Sequence, residues 1–436
     1  MIASEVLGCG ITLVTERMDG ARSASLGVWV GTGSRDELDA QSGTSHFLEH
    51  LLFKGTPEWS ASAIAEAVDE VGGDMDAFTT KEYTAFSIRL LAEDLPLGVR
   101  VLGAIMTDPA FRPDEVDAER QVILDEVRMH ADEPADLAGE QYMTALFPGH
   151  PLGRDVLGAP ASVSSIGPGE IRSFFDLHYR TGNMVVSAAG DVDHERLAAE
   201  IDRCFELRRG GERPARSAPV VGSEALALTT RSTEQAHVVL GVRVPGRRAP
   251  ERYALGLLNH VLGGGISSRL FQEVRERRGL AYAIWSERLL YEEVGSLCVS
   301  VGTAPEHASE VIGLVNAEID RLGDSGVSSR ELALAKSHLR ADTLLSLEDS
   351  GARMGRIGSS MLLHGEVPEV DEIIGRVDSV SVEEVGSLGA RIAAAKRTLS
   401  VVGPFEEGRF ASEPSDSSAC LSAGGAVERG AGSQER

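Results

Sequence analysis

The chain has 436 residues, 42% hydrophobic and 25% charged, a balance that supports sizeable buried cores and, at this length, two domains of about 200 residues each. Its formal net charge of −25 would repel a phosphate backbone over most of the surface, so nucleic acid is not an expected partner. There is no apolar run of about 20 residues, and the opening MIASEVLGCGITLVTERMDG lacks a basic segment followed by an apolar one; neither a membrane span nor a secretory leader is expected. Acidity of this size is common for solubility alone and would favour cationic peptides only weakly. Cys9, Cys204, Cys298 and Cys420 are scattered, with no CxxC pair, which argues for a reducing compartment, read here as the cytoplasm, and against a sulfur metal site.

In chain order, residues 5–34 read as strands, ITLVTERM and then ASLGVWVGTGS, with β-branched alternation broken by Gly and Asp. HFLEHLLF follows as a helix, capped by Ser42 or Thr44 and ending before Gly55 and Pro57. SAIAEAVDEV predicts a second helix that stops at Gly72 and Gly73. DMDAFTT and EYTAFSIRLL, separated by Lys81, read as a hairpin or a sheet edge. From Pro113, PDEVDAERQVILDEVRMHADE is a long helical pattern with apolar Val116, Val122, Ile123 and Val127 and a proline suited to the first turn.

An internal repeat organises the rest. Residues 162–191, SVSSIGPGEIRSFFDLHYRTGNMVVSAAGD, share a pattern with residues 376–404, RVDSVSVEEVGSLGARIAAAKRTLSVVGP. Glu170 and Ile171 align with Glu384 and Val385, and Gly190 with Gly403, at a near-constant offset close to half the chain, which indicates two duplicated α/β halves. The expected division is residues 1–207, a linker at 208–223 (RRGGERPARSAPVVGS), residues 224–410, and a disordered tail at 411–436 to which no function is assigned.

The chemistry is concentrated in His46-Phe47-Leu48-Glu49-His50, an H-x-x-E-H motif on a predicted helix. Positions i and i+4 share a helix face, so two imidazoles converge on one ion at about 2.0–2.1 Å, while Glu49 points near the same spot without ligating. A catalytic zinc needs three protein ligands and an open position for water, so a third ligand must come from elsewhere. Glu126, in VILDEVRM on another helix, is the candidate, and Glu119, two turns earlier on roughly the same face, is placed to orient a ligand. Taken singly, each histidine would read as a surface or core residue and the two glutamates as a solvated helix face; only the combination points to a metal.

Together, SHFLEHLLFKGT, VGGDMDAFTTKEYTAF and AERQVILDEV resemble the M16 metallopeptidases, the pitrilysin and insulinase family, and most closely the mitochondrial processing peptidase branch. The family is termed inverzincin for its reversed motif order. The resemblance spans nearly the whole ordered chain and implies an α+β fold of two duplicated α/β-roll halves, each a mainly antiparallel sheet flanked by helices. It implies that His46, His50 and Glu126 bind Zn2+, that Glu49 is the general base and that Glu119 is a supporting acid. It also places Asp76 and Ala77 in the strand that borders the substrate. The family usually has Asn at the position of Asp76, which leaves subsite preference open there.

The second half carries no H-x-x-E-H and so forms no independent zinc site. In LGGGISSRLFQEVRERRGLAYAIW, Arg275 and Tyr282 resemble a family pair that contacts substrate and steadies the tetrahedral intermediate, a task suited to guanidinium and phenol donors. Without the resemblance they would read as a helix-face charge and a core tyrosine. Gly263-Gly264-Gly265 lacks G-K-[ST] and reads as a helix cap, which the resemblance places near a glycine-rich loop by the substrate cavity. The implied activity is zinc-dependent endopeptidase cleavage of peptides or unfolded segments bound as an extended strand in an enclosed chamber. One chain supplies one half-shell of such a chamber, so a homodimer is expected, with a different subunit as the alternative partner and with Arg275 and Tyr282 reaching the partner's zinc site. Two rivals, a non-catalytic scaffold subunit and a peptide-capturing subunit, would show a broken motif, and here it is intact. His/His/Glu sites also accept cobalt or manganese.

Overall fold

A computed structural model describes residues 2–205, 209–220 and 225–411. The expected linker edges at 208 and 221–223, and the tail from 412, including Cys420, lie outside the described residues. The strands are β1 (Ile2–Val6), β2 (Thr12–Arg17), β3 (Ser23–Val30), β4 (Asp74–Thr79), β5 (Thr84–Leu91), β6 (Met184–Gly190), β7 (Ala225–Thr230), β8 (Ala236–Pro245), β9 (Ala281–Leu290), β10 (Val294–Thr303) and β11 (Arg397–Gly403). The helices are α1 (Thr44–Leu52), α2 (Ala61–Asp69), α3 (Leu95–Thr107), α4 (Pro113–Asp132), α5 (Pro134–Leu146), α6 (Pro160–Ser165), α7 (Pro168–His178), α8 (His194–Cys204), α9 (Arg252–Gly263), α10 (Ala308–Asp324), α11 (Ser329–Ser346), α12 (Ser350–His364), α13 (Val370–Ser379) and α14 (Val382–Ala393).

Two sheets share one plan. The first runs β1-β2-β6-β3-β5-β4 and the second β7-β11-β8-β10-β9. Each is antiparallel except for one parallel pair, β2 with β6 and β7 with β11. The α+β fold of two duplicated halves expected from the sequence is the observed one, with β1 an addition to the first half. The repeat that revealed it marks helix starts and strand ends. Glu170 and Glu384 each accept a backbone N–H at 2.7 Å to cap α7 and α14, and Gly190 and Gly403 close β6 and β11.

One helix from each half lies on the other half's sheet. Tyr142, Met143 and Leu146 of α5 pack on Val239, Cys298 and Val402 of the second sheet. Met354, Ile357 and Leu362 of α12 pack on Val14, Trp29 and Val185 of the first. Both contacts are tight. Tyr142 and Ser296 hydroxyls lie 2.7 Å apart, and a Cβ added to Gly358 of α12 would stand 2.1 Å from the Trp29 indole nitrogen, a closeness only glycine permits. Glu16 on β2 pairs with both Arg353 and Arg356 of α12.

Because each sheet is covered by a helix from the other half, the two halves should unfold together. Circular dichroism and tryptophan fluorescence are expected to report one coincident transition, and Tyr142→Ala should lower its midpoint for both probes at a cost of about 3–5 kcal/mol. Two separated transitions would contradict the exchange as the source of cohesion.

Candidate metal centre

Helix α1 owes its position to burial on one side and a remote carboxylate at its start. Phe47, Leu48, Leu51 and Leu52 sit in the first core, which turns His46, Glu49 and His50 toward α4. Neither Ser42 nor Thr44 caps the helix as expected. The cap residue is Gly43, at φ +97, where a side chain would strike the Leu157 carbonyl at 2.7 Å, and the Thr44 hydroxyl turns back to the Gln41 carbonyl. Glu37 takes over, accepting the Gly43 and Ser45 amides at 2.8 and 2.6 Å, where its charge complements the helix dipole. Burial pushes its pKa up to about 7 despite those amides.

Helix α4 starts at Pro113 and buries Val116, Glu119 and Ile123. Val122, counted in its apolar spacing, is half exposed. Glu119 and Glu126 project from α4 toward α1.

The ligand atoms of His46, His50 and Glu126 all lie within 4.8 Å of one another. Each imidazole Nε2 is 3.7 Å from Glu126 Oε2. That is too long for a hydrogen bond and close to the ~3.4 Å edge of a tetrahedron whose ligands sit about 2.1 Å from a shared ion. His46 is 6% exposed, and burial, followed by the charges of His50 and His130, pushes its pKa down to about 3, leaving a neutral ring with a free lone pair. His46 Nδ1 is buried with no hydrogen-bond partner among the described residues. A buried neutral imidazole facing a carboxylate without hydrogen-bonding it fits a divalent ion between them, as does the His/His/Glu donor set.

The second imidazole is oriented by a carboxylate. His50 Nδ1 stands 2.8 Å from Glu119 Oε1, which assigns the ring proton to Nδ1 and the lone pair to Nε2, facing Glu126. Burial is the largest single influence on His50 and lowers its pKa, but the hydrogen bond and charge of Glu119, with Glu126 and Glu49, outweigh it and the net shift is upward. Glu119 in turn meets Lys54 Nζ at 2.6 Å. Its burial, which raises the pKa, is outweighed by the bonds from His50 and Lys54, and the carboxyl is held low.

Glu49 stands outside the ligand set. The Thr79 hydroxyl donates to its Oε2 at 2.6 Å, and burial raises its pKa against that bond. Glu49, His50, Asp76 and Ala77 line a cavity of about 400 Å³ backed by Phe53 and Met75. Among the described residues, strand β4, which carries Asp76 and Ala77, pairs only with β5 and has no strand on its other edge. Asp76 and Ala77 therefore lie beside the candidate metal group.

Arg275 and Tyr282 do not. Arg275 lies over the Tyr282 ring at 4.8 Å and over Phe271 at 4.7 Å, and no hydrogen bond, ion pair or ring contact among the described residues joins either to the metal group of the same chain. Tyr282 is 80% exposed, which removes the alternative that it is a core residue. Gly263 closes α9 and Gly264 caps it. Lys54, Thr79 and Glu37 were missed from sequence. Lys54 sits at i+4 from His50 at the end of the motif helix and was within reach of a spacing argument, whereas Thr79 and Glu37 act across turns of the chain that spacing does not reveal.

Two imidazoles and a carboxylate from two adjacent helices, with the Thr79-bound Glu49 carboxylate alongside and the β4 edge beyond, form a candidate mononuclear metal site on a duplicated α/β frame. The chain belongs to the M16 peptidase family. Residues 12–160 match the family described as insulinase (peptidase family M16), and residues 165–339 match the peptidase M16 inactive domain. An uncharacterized zinc protease of Mycobacterium tuberculosis is 41% identical over 91% of each chain. In fold, a protease from Helicobacter pylori superposes with a TM-score of 0.86 at 22% identity, covering 93% of this chain and 99% of its own. A peptidase M16 inactive domain from Pseudomonas fluorescens gives 0.86 at 20%, covering 93% and 98%.

Glu119→Gln and Lys54→Met should each weaken retention of one divalent ion per chain, by ~10–100-fold for Glu119→Gln, read by competition with a chromogenic chelator. Unchanged retention in both would mean that the carboxylate does not orient His50.

Proposed function

We propose that the chain is a zinc-dependent endopeptidase in which His46, His50 and Glu126 hold Zn2+, Glu119 steadies His50 and Glu49 is the general base. The reading is carried by one observation: three ligand atoms converge beside an uncoordinated carboxylate at the free edge of a sheet. The printed names of the relatives, zinc proteases, support the choice of metal. Zinc held there would polarise the scissile carbonyl and bring the pKa of water toward about 7. Glu49, one oxygen held by Thr79, takes the proton from that water with the other and passes it to the leaving amine.

The peptide binds as an added strand along β4, where main-chain hydrogen bonds provide affinity with little demand on sequence and Asp76 and Ala77 border the scissile region. The substrate class is therefore peptides and unfolded segments. Arg275 and Tyr282, exposed and stacked together, serve the site of a second copy across an enclosed chamber, donating hydrogen bonds to the substrate carbonyl as charge develops. In this reading the two structural units are residues 1–207 and 224–410, and the protein works in a reducing, cytoplasmic setting. Free Cys9, Cys204 and Cys298 agree with the latter, and no helix among the described residues is long and apolar enough to cross a membrane. The resemblance to the processing-peptidase branch belongs to the same reading. The scaffold and peptide-capturing alternatives have no support from the ligand set, which is whole.

Glu49→Gln should abolish cleavage of a fluorogenic basic peptide while zinc stoichiometry stays that of the parent; normal turnover would remove Glu49 from its role. Mixing Glu49→Gln with Tyr282→Phe chains tests the dimer. If each site borrows Tyr282 from its partner, the mixture regains up to about a quarter of parent activity from the mixed dimers. No recovery, with mixed dimers demonstrated by mass, would place Tyr282 outside the partner's site.

A further inference from the structure

We propose that the buried Glu82, in the turn between β4 and β5, positions the general base through Thr79 and ties that base to the second half of the chain. The inference rests on the reading of Glu49 as the base. Glu82 is nearly inaccessible and is met by guanidinium groups from three separate segments. Arg35 follows β3, Arg216 lies in the segment joining the halves, and Arg247 follows β8. The Glu292 backbone N–H, from the β9–β10 turn, adds a fourth donor at 3.3 Å. Arg216 also binds Asp36 at 2.7 Å and the Glu82 carbonyl at 2.6 Å, and Arg35 reaches Glu293 at 2.8 Å. Burial works to raise the Glu82 pKa, but Arg247, Arg216 and Arg35 together outweigh it, and the group stays ionised.

The clamp is transmitted to the site through a short stretch of backbone. Thr80 Oγ1 accepts the Glu82 and Tyr83 amides at 3.2 and 3.1 Å, and the Thr80 amide binds the Tyr83 carbonyl at 2.8 Å. From the neighbouring segment, Ser34 N–H donates to the Thr80 carbonyl at 3.1 Å and Arg35 N–H to that of Lys81 at 2.8 Å. Gly33 approaches so closely that a Cβ there would stand 2.3 Å from the Thr80 carbonyl. The next residue back is Thr79, whose hydroxyl holds Glu49. The turn thus has little freedom, and Thr79 has little freedom relative to the turn.

Burying a carboxylate among guanidinium groups is a poor way to gain stability, since a well-packed apolar cluster often does as well or better, but it does demand one arrangement of the segments that supply the charges. Two of those segments lie outside the sheet that carries the metal helices. The placement of Thr79, and through it of the Glu49 oxygen, therefore depends on how the second half sits against the first. Thr79 and Glu82 act through Glu49 and are positioning residues.

The experiment is a double-mutant cycle on the full-length zinc-loaded protein. Thr79→Val should lower kcat ~10–100-fold, the scale of an ångström-level misplacement, with KM changed less than about twofold and zinc stoichiometry unaltered. Thr79→Ser should restore most of the loss. Arg247→Met, which removes only the second half's guanidinium, should lower kcat in the parent yet add little in the Thr79→Val background. If Arg247→Met does not fold, Glu82→Gln takes its place in the cycle with the same expected non-additivity. Parent-like kcat in Thr79→Val, or losses that multiply across the cycle as a general loss of stability would make them, overturns the inference. An inactive Glu49→Gln beside a fully active Thr79→Val would sink only this inference, whereas an active Glu49→Gln would sink the proposed function itself.

Discussion

The site depends on holding two helices that contribute unequal parts of one donor set at a fixed separation. Helix α1 supplies both imidazoles and α4 supplies the carboxylate, so no local rule of helix geometry sets the distance from His46 or His50 to Glu126. It is set by packing on one side, where Phe47, Leu48, Leu51 and Leu52 seat α1 on the core, and by a polar bridge on the other. In that bridge Glu119 touches His50 with one oxygen and Lys54 with the other, so a single buried carboxylate on α4 grips α1 at two points. Lys54 keeps that carboxylate charged, and the charge keeps the His50 proton on Nδ1 and its lone pair turned to Glu126.

The duplicated plan explains why one chain carries one such site. Apart from β1 the two halves share a strand order, but only the first carries H-x-x-E-H on the helix that follows its third strand; α9, which follows β8 in the second, has the single histidine His260. The second half has other work in the structure. Its α12 covers the outer face of the first sheet, its Arg247 enters the buried charge cluster around Glu82, and its sheet is covered in return by α5. The half without a metal motif is thus part of the frame that holds the metal half in shape.

The parts that were legible in the sequence are those that repeat at short spacing or recur along the chain. The i, i+4 histidines, the hairpin around Lys81, the helix from Pro113 and the repeat of Glu170 with Glu384 all have local causes, and each was found where expected. What was not legible depends on partners remote in sequence. Ser42 and Thr44 have the chemistry of a cap, yet Glu37 does the capping because Gly43 sits against Leu157 with no room for a side chain. The apolar faces of α5 and α12 say that these helices are buried, but nothing in a periodicity says which sheet buries them. Tyr282 is a case of composition misleading: an aromatic residue in an apolar stretch reads as core, and here it stands in the open beside Arg275.

Electrostatics around the site also explain why it asks for a cation. Glu49, Glu119, Glu126 and Asp76 gather near two imidazoles, and Lys54 meets Glu119. Glu119 is satisfied by Lys54 and His50. Glu49 is not so well compensated, since burial and the charges of Glu126 and Asp76 all raise its pKa and only the Thr79 hydroxyl and His50 oppose them. A divalent ion between the imidazoles and Glu126 would reverse that balance by offsetting the neighbouring negative charge, which favours the ionised carboxylate that a general base must be. The same ion would give His46 Nε2, which faces Glu126 at 3.7 Å without a hydrogen bond, a partner for its lone pair. If Glu49 is the base, ligand assembly and its activation would be one electrostatic event, and the Thr79 bond would hold the Glu49 oxygen outside the ligand set.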